Sequence, residues 1–166
     1  MTAASAILKL IGDEHDPATQ SRLRDQLRAD PDLLAAVYRH ATEHGDIPST
    51  LRDLVLACDR DELVRRYREA DLEEGAWLLC WLDRPRHDHH RDGGRTLNRI
   101  AERAAASDPS EMADYMRGEL GLTGDRIDYH HPGNSFLDQV LERRCGLPIT
   151  LTVLWMLLCR RCGFQV

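Results

Sequence analysis

Lysine is almost missing from this chain, in which Lys9 is the only lysine and arginine supplies the rest of the 22 basic side chains. With 28 acidic residues the net charge is -6. That balance excludes the broad basic face that nucleic-acid binding needs. The arginine bias reads as a codon habit rather than a recognition device. No window alternates apolar and polar residues with period two, so strands are not expected. The longest apolar run, Ile149 to Cys159, falls short of the roughly 20 residues that cross a bilayer, so no membrane span is expected. The opening MTAASAILKLIGDEHD lacks the charged start and long apolar run of a secretory leader. An odd count of five cysteines fits reduced thiols in a cytoplasm better than a disulfide framework. Cys159 and Cys162 form one C-x-x-C pair, but Cys58, Cys80 and Cys145 stand alone, so the second pair of a zinc site is lacking.

What is present is helical punctuation. Ile7, Leu8, Leu10 and Ile11 make a short apolar helix closed by Gly12, and Asp16-Pro17 and Asp30-Pro31 each offer a cap and a first-turn proline. Leu33, Leu34, Val37, Tyr38 and Ala41 recur at helical spacing up to Gly45. Ser49 is expected to cap a helix with Leu51, Leu54 and Val55, and Asp61 to begin another with Leu63, Val64 and Tyr67. Short helices in series are similar to a HEAT-type lobe, although no fixed period supports a solenoid. Asp71 and Glu74 form a capping box before Leu72, Ala76, Leu78 and Leu79. The stretch from Asp83 to Gly94 changes to DRPRHDHHRDGG and reads as an exposed loop. A helix with Leu97, Ile100 and Ala101 follows, then one opened by Ser107-Asp108-Pro109, then a loop from Gly121 to Gly133.

The densest signal comes last. Asn134 or Ser135 is expected to cap a helix that ends at Arg143-Arg144, with Gly146 giving a left-handed exit. Pro148 then starts a helix in which Leu151, Val153, Leu154, Trp155, Met156, Leu157 and Leu158 cover all sides, which places it in a core. The fold class expected is all-α: a multi-helix array around a buried central apolar helix, with an N-terminal lobe over residues 1–70 and a second helical part over 71–166.

The block from Tyr129 to Gly163, containing NSFLDQVLERRCGLPITLTVLWMLLCRRCG, resembles the SirB-type transglutaminase-like family, a bacterial group whose core is related to the cysteine transglutaminases and papain-like hydrolases. A second match lies in Asp71-Leu72-Glu73-Glu74-Gly75-Ala76-Trp77-Leu78-Leu79, and weaker similarity reaches back to about Ile7. The resemblance implies a nucleophilic cysteine at the start of the central helix, where the dipole lowers a thiol pKa, with a His and an Asp on strands further on. That position falls at Pro148, Ile149 or Thr150, none of which supplies a thiolate. The family's Gly-His-Phe type segment would follow RRCGF, and the sequence given stops at Val166. The resemblance is therefore to the helical part of the core without its strands.

Other candidates weigh less. Cys145 is the one candidate for a displaced nucleophile and is expected to be an interhelical residue. Cys159 and Cys162 sit at a helix end, where the dipole disfavours a thiolate. His87, His89 and His90 share one segment with Asp88 and make a weak metal set; His130 and His131 adjoin the motif and read as structural. No cofactor and no tightly bound metal are expected. The function expected is a noncatalytic regulatory or accessory protein acting through protein contacts. The alternatives are a cysteine-dependent acyl-transfer or hydrolytic enzyme completed by another chain or a C-terminal half, and a metal-binding module. Leu154, Trp155, Leu158 and Phe164 are the expected contacts with a protein partner or a second copy, since each uncovered large apolar side chain forgoes about 1.5 to 3 kcal/mol of burial. In the competing reading, the N-terminal helices fold back and bury that helix within a monomer.

Overall fold

Proline and aspartate set where several helices begin. The computed structural model describes residues 3–12, 17–45, 47–85 and 87–166, and among them the fold is all-α, with one pair of very short strands. Helices α1 (Ala3–Gly12), α2 (Pro17–Ala29), α3 (Pro31–His44) and α4 (Ser49–Glu69) come first. Then follow α5 (Leu72–Leu79), α6 (His89–Ala104), α7 (Pro109–Gly118), α8 (Leu137–Arg143) and α9 (Pro148–Arg161). Asp30 accepts from the Leu33 N–H at 2.9 Å and Gly45 closes α3 in the left-handed region. Asp108 accepts from the N–H groups of Ser110 and Glu111, so both helices carry the cap and first-turn proline that their sequences signal. Asp16, expected to cap α2, lies outside the described residues. Asp71 caps α5 through the Glu74 N–H, but the Glu74 side chain turns to Arg66 at 3.2 Å, so only half of the expected capping box forms.

Four expectations about boundaries need correction. The separate helices expected at Ser49 and Asp61 are one helix, α4; no Gly or Pro interrupts it, and an aspartate alone does not stop a helix. The polar stretch ending at Gly94 is not all loop. Asp88 caps α6 through the Arg91 N–H, and His89 to Gly94 form its first turns. Asn134 does not cap α8; it lies in a 3-10 turn, Pro132–Ser135, and Phe136 stands at the helix entrance. Arg144, at φ 61°, takes the left-handed exit expected of Gly146.

The chain divides into two compact units, Met1–Val64 and Arg65–Val166, with the division inside α4. The first packs Leu27, Leu34, Val37, Leu51 and Val55 from α2, α3 and α4 into its own core. In the second, α5, α6, α7 and α8 all pack on α9. Leu154, Leu157, Leu158 and Cys159 are buried there with Trp77, Leu97, Met112 and Leu137. Leu154 and Leu158 are thus covered on their own unit and present no surface, because four preceding helices supply the cover. Trp155 and Phe164 are half-buried against the same core, and Trp155 donates its Nε1–H to the Pro109 carbonyl at 2.9 Å. At the far end of α9, Arg161 bonds Asn98 Oδ1 at 2.8 Å and pairs with Glu73, tying α6 and α5 to the helix end. Strand β1 (Thr123–Gly124) lies parallel to β2 (Cys145–Gly146), with Thr123 opposite Cys145.

Gly93 explains why a glycine pair sits inside α6. A Cβ there would fall 2.3 Å from the buried Trp77 ring, whereas one on Gly94 would meet nothing nearer than Glu73 Oε1 at 3.9 Å. Gly93→Ala is expected to cost about 1 to 3 kcal/mol through overpacking, and Gly94→Ala to be neutral or to gain up to about 1 kcal/mol. Urea midpoints followed by tryptophan fluorescence check this, since Trp77, Trp81 and Trp155 all lie in the second unit. Equal midpoints for the two variants would show that the ring is not held against α6.

Candidate functional site

The corner between α8 and α9 is built on Asn134. Its side chain is fully buried; the amide nitrogen donates to the carbonyls of Asp128 (2.8 Å) and Tyr129 (3.2 Å), while Oδ1 accepts from Arg143 at 2.8 Å. Its backbone carbonyl accepts from the Leu147 N–H at 3.1 Å, one residue before α9 begins. Arg143 continues to Asp125 Oδ2 at 3.2 Å, a pair whose side chains are 25% and 8% exposed. Asp125 also accepts from the N–H groups of Asp128 and Ile127. The Asp128 N–H above all, with the Asn134 amide, the Ile127 N–H and the Arg143 guanidinium, holds the Asp125 carboxyl down at about 2 against an opposing effect of desolvation. Gly146 fits only as glycine, because a Cβ would lie 2.7 Å from Val140 Cγ2.

This network aims the start of α9, the position where a transglutaminase-like nucleophile would stand. Pro148 and Ile149 are exposed there and Thr150 is buried. Beside them opens an apolar groove of about 620 Å³, lined in part by Tyr67, Leu72, Leu79, Leu137, Ile149 and Val153, with Asp71, Ser135 and Thr150 as its polar members. Ile149 is 70% exposed and Tyr67 53%, so the groove shows large apolar side chains where Leu154 and Leu158 do not; Leu82, Ile127 and Tyr129 are exposed elsewhere on the second unit. Trp155 lines a different cavity of about 520 Å³, together with Met116, Leu122, Arg126 and Leu151.

Cys145 stands on β2 and its thiol donates to Asp125 Oδ2 at 3.7 Å, a carboxylate already engaged by Arg143. No histidine takes part in that contact, so the corner lacks the thiol–imidazole pair of nucleophilic catalysis. Cys159 is buried and burial, with Cys162 beside it, raises its thiol pKa. His131 accepts from the Gly133 N–H at 3.0 Å and so caps the 3-10 turn; His130 stacks edge-on against Tyr129.

Of the three histidines that the sequence groups, His87 and His89 remain in edge-to-face contact with ring centroids 4.6 Å apart, but the three have different surroundings. His90 is exposed, and His87 faces Asp92 at 3.6 Å; burial first, then the neighbouring His89, lowers the His87 pKa. His89 turns inward instead, 3% exposed, at the first position of α6. There it meets Asp138 from α8 and Cys80 from the end of α5. Burial pushes the Cys80 thiol up to about 12, so in that state it is protonated. For Asp138, burial raises the pKa but the His89 ring and the Gln139 N–H outweigh it, leaving the carboxyl below its ordinary value. Neither Cys80 nor Asp138 carries a sequence signal, since nothing in spacing reveals that the ends of α5, α6 and α8 converge.

Part of the sequence is similar to a known class. Residues 91–166 match the family model described as the transglutaminase-like superfamily. Among curated proteins, the chain is similar to a UPF0162 protein of Vibrio cholerae, 46% identical over 118 residues that cover 66% of this chain and 42% of that protein. A UPF0162 protein of Xylella fastidiosa is 45% identical over 52 residues, 31% of this chain and 18% of its own length. F-box only protein 21 of Homo sapiens is 38% identical over 58 residues, 32% of this chain and 9% of that protein. The chain spans less than half the length of these relatives. No solved structure matches. No helix among the described residues is long and apolar enough to cross a membrane.

Because Asp125 titrates lower folded than unfolded, its contribution to stability is complete above the ordinary carboxylate value of 3.8 and fades as pH falls toward about 2. Urea midpoints between about pH 4 and pH 2 should therefore drop less steeply in Asp125→Asn than in wild type. A residual slope is expected from Asp108 and Asp138, whose pKa values are also lowered. Identical slopes would show that the hydrogen bonds to the Asp125 carboxylate, the Asp128 N–H foremost, are not maintained in solution.

Thiol labelling reads the cysteine environments directly. Exposed Cys58 should react in the native protein, whereas Cys80 and Cys159 should react only on unfolding. Fast native labelling of Cys80 at neutral pH would contradict the buried, protonated thiol.

Proposed function

We propose that this chain is a noncatalytic, SirB-type transglutaminase-like protein that acts through protein contacts, with the groove at the start of α9 as its contact surface. The observation that carries the reading is the helix start itself, where Pro148, Ile149 and Thr150 offer no thiol and Ile149 faces outward beside an apolar groove. A helix start at this position in that class serves to activate a nucleophile through its dipole. Here the same geometry displays an apolar side chain. Groove residues Tyr67, Leu72, Leu79 and Ile149 are the exposed aromatic and aliphatic anchors that protein interfaces bury at their centres. Asp71, Ser135 and Thr150 supply a few polar groups to orient an extended or helical segment of a partner.

The cysteine-dependent alternative needs a thiolate near an imidazole. Cys145 faces a carboxylate, and Cys80 is held protonated in the interior. Both arrangements oppose it.

Peptides selected from a displayed random library on the full chain test the proposal. The selected peptides should be rich in apolar residues and should lose about tenfold or more in affinity to Ile149→Asp, an exposed position whose change leaves the core intact. Peptides indifferent to both Ile149→Asp and Leu72→Asp would place binding elsewhere. Hydrolysis of an activated acyl ester above background, abolished by Thr150→Ala or Cys145→Ala, would overturn the noncatalytic reading.

A further inference from the structure

The buried contact between His89 and Asp138 is electrostatically incomplete as it stands. His89 Nε2 lies 2.9 Å from the Arg84 carbonyl oxygen. A carbonyl only accepts, so Nε2 carries the proton, and in the neutral ring Nδ1 is a bare lone pair. That lone pair faces Asp138 Oδ2 at 3.4 Å, and Oδ2 is buried without a hydrogen-bond partner. The other carboxylate oxygen is occupied, accepting from the Gln139 N–H at 2.8 Å. Two acceptors that face each other out of water repel unless a cation lies between them, either a second proton on the ring at Nδ1, the state in which His89 lowers the Asp138 pKa, or a metal ion. The Cys80 sulfur is the third atom of the group, and the three ligand atoms all lie within 4.8 Å of one another.

We infer that Cys80, His89 and Asp138 form a zinc-binding site. Two nitrogen or oxygen ligands about 2.1 Å from a tetrahedral ion stand about 3.4 Å apart, which is the His89–Asp138 separation. A thiolate, an imidazole and a carboxylate together suit zinc, whereas magnesium and calcium take oxygen donors alone. Thiolate and carboxylate also cancel the two positive charges, so the loaded site is neutral where burial disfavours net charge. The orienting partners are in place: the Arg84 carbonyl fixes the imidazole, and the Gln139 N–H fixes the carboxylate. Three protein ligands leave the fourth place to water. A cavity of about 300 Å³, lined by His89 and Asp138 with His87 and Asp92, gives the ion a way in. The site differs from the weak set His87, His89 and His90 read from sequence, where no tightly bound metal is expected, and Cys80 and His89 precede the stretch that matches the transglutaminase-like model.

The full chain, stripped with chelator and titrated with cobalt(II), tests the site. Wild type should take up one equivalent and develop a thiolate-to-metal charge-transfer absorption that zinc displaces. Asp138→Asn should bind about tenfold or more weakly, and Cys80→Ser should lose the charge-transfer absorption. His90→Asn, one residue from the site and exposed, should behave as wild type. Circular dichroism of each metal-free variant reports its folding, and zinc should raise the melting temperature of wild type but not of Cys80→Ser. A wild-type melting temperature unmoved by zinc, or a charge-transfer absorption that survives in Cys80→Ser, overturns the proposal; the first result would leave a proton on Nδ1 as the cation of this site.

Discussion

Helix α9 is apolar on every side, and the second unit is arranged to satisfy that one constraint. A helix without a polar face must be surrounded. Helices α5, α6, α7 and α8 each lay a face on it, and Leu154, Leu157, Leu158 and Cys159 vanish from the surface. Truncation of any one of these leucines in such a core ordinarily costs about 2 to 5 kcal/mol, a large part of the stability of a small domain. The polar interactions follow from the same need. Arg161 reaches Glu73 and Asn98 from the last turn, so that α5 and α6 are fastened at the end of the helix they cover.

The other end of α9 is fixed by polar groups. Asn134 sits at zero exposure with its amide and carbonyl oxygens engaged on three sides, so the loop before α8 and the turn before α9 cannot move separately. A buried amide stabilises only when its bonds are made, which is why Arg143 and, behind it, Asp125 belong to the same unit. The result is a helix start with a fixed direction. In a cysteine enzyme that direction would serve a nucleophile; in this chain it presents Ile149 and the rim of an apolar groove.

The two regions of interest have opposite characters. The groove is open and apolar, built from side chains that would ordinarily seek cover, and it suits a partner that contributes apolar anchors. The Cys80–His89–Asp138 cluster is closed and polar, with more acceptors than donors, and it suits a small cation. Their common element is α8, whose Leu137 lines the groove and whose Asp138 enters the cluster. Occupation of the cluster would therefore bear on the helix that forms one wall of the groove.

Local signals settled much of this protein in advance. Caps and first-turn prolines at Asp30-Pro31 and Asp108-Pro109 act over one turn, so the sequence alone determined where α3 and α7 begin, and the continuous apolar run determined that α9 lies in a core. The motif around Asn134 was legible as a unit, but the role of its asparagine was not: a cap and a buried network hub use the same residue, and only the position of Arg143 and Asp128 in space distinguishes them. The segment ending at Gly94 misleads because its composition is that of a loop, while Gly93 is there to admit the Trp77 ring. Which apolar side chains remain outside depended on the covering helices, so Ile149 rather than Leu154 faces solvent. Cys80, His89 and Asp138 were brought together by tertiary structure alone, because packing α5, α6 and α8 against α9 places three helix ends at one point that no spacing along the chain encodes.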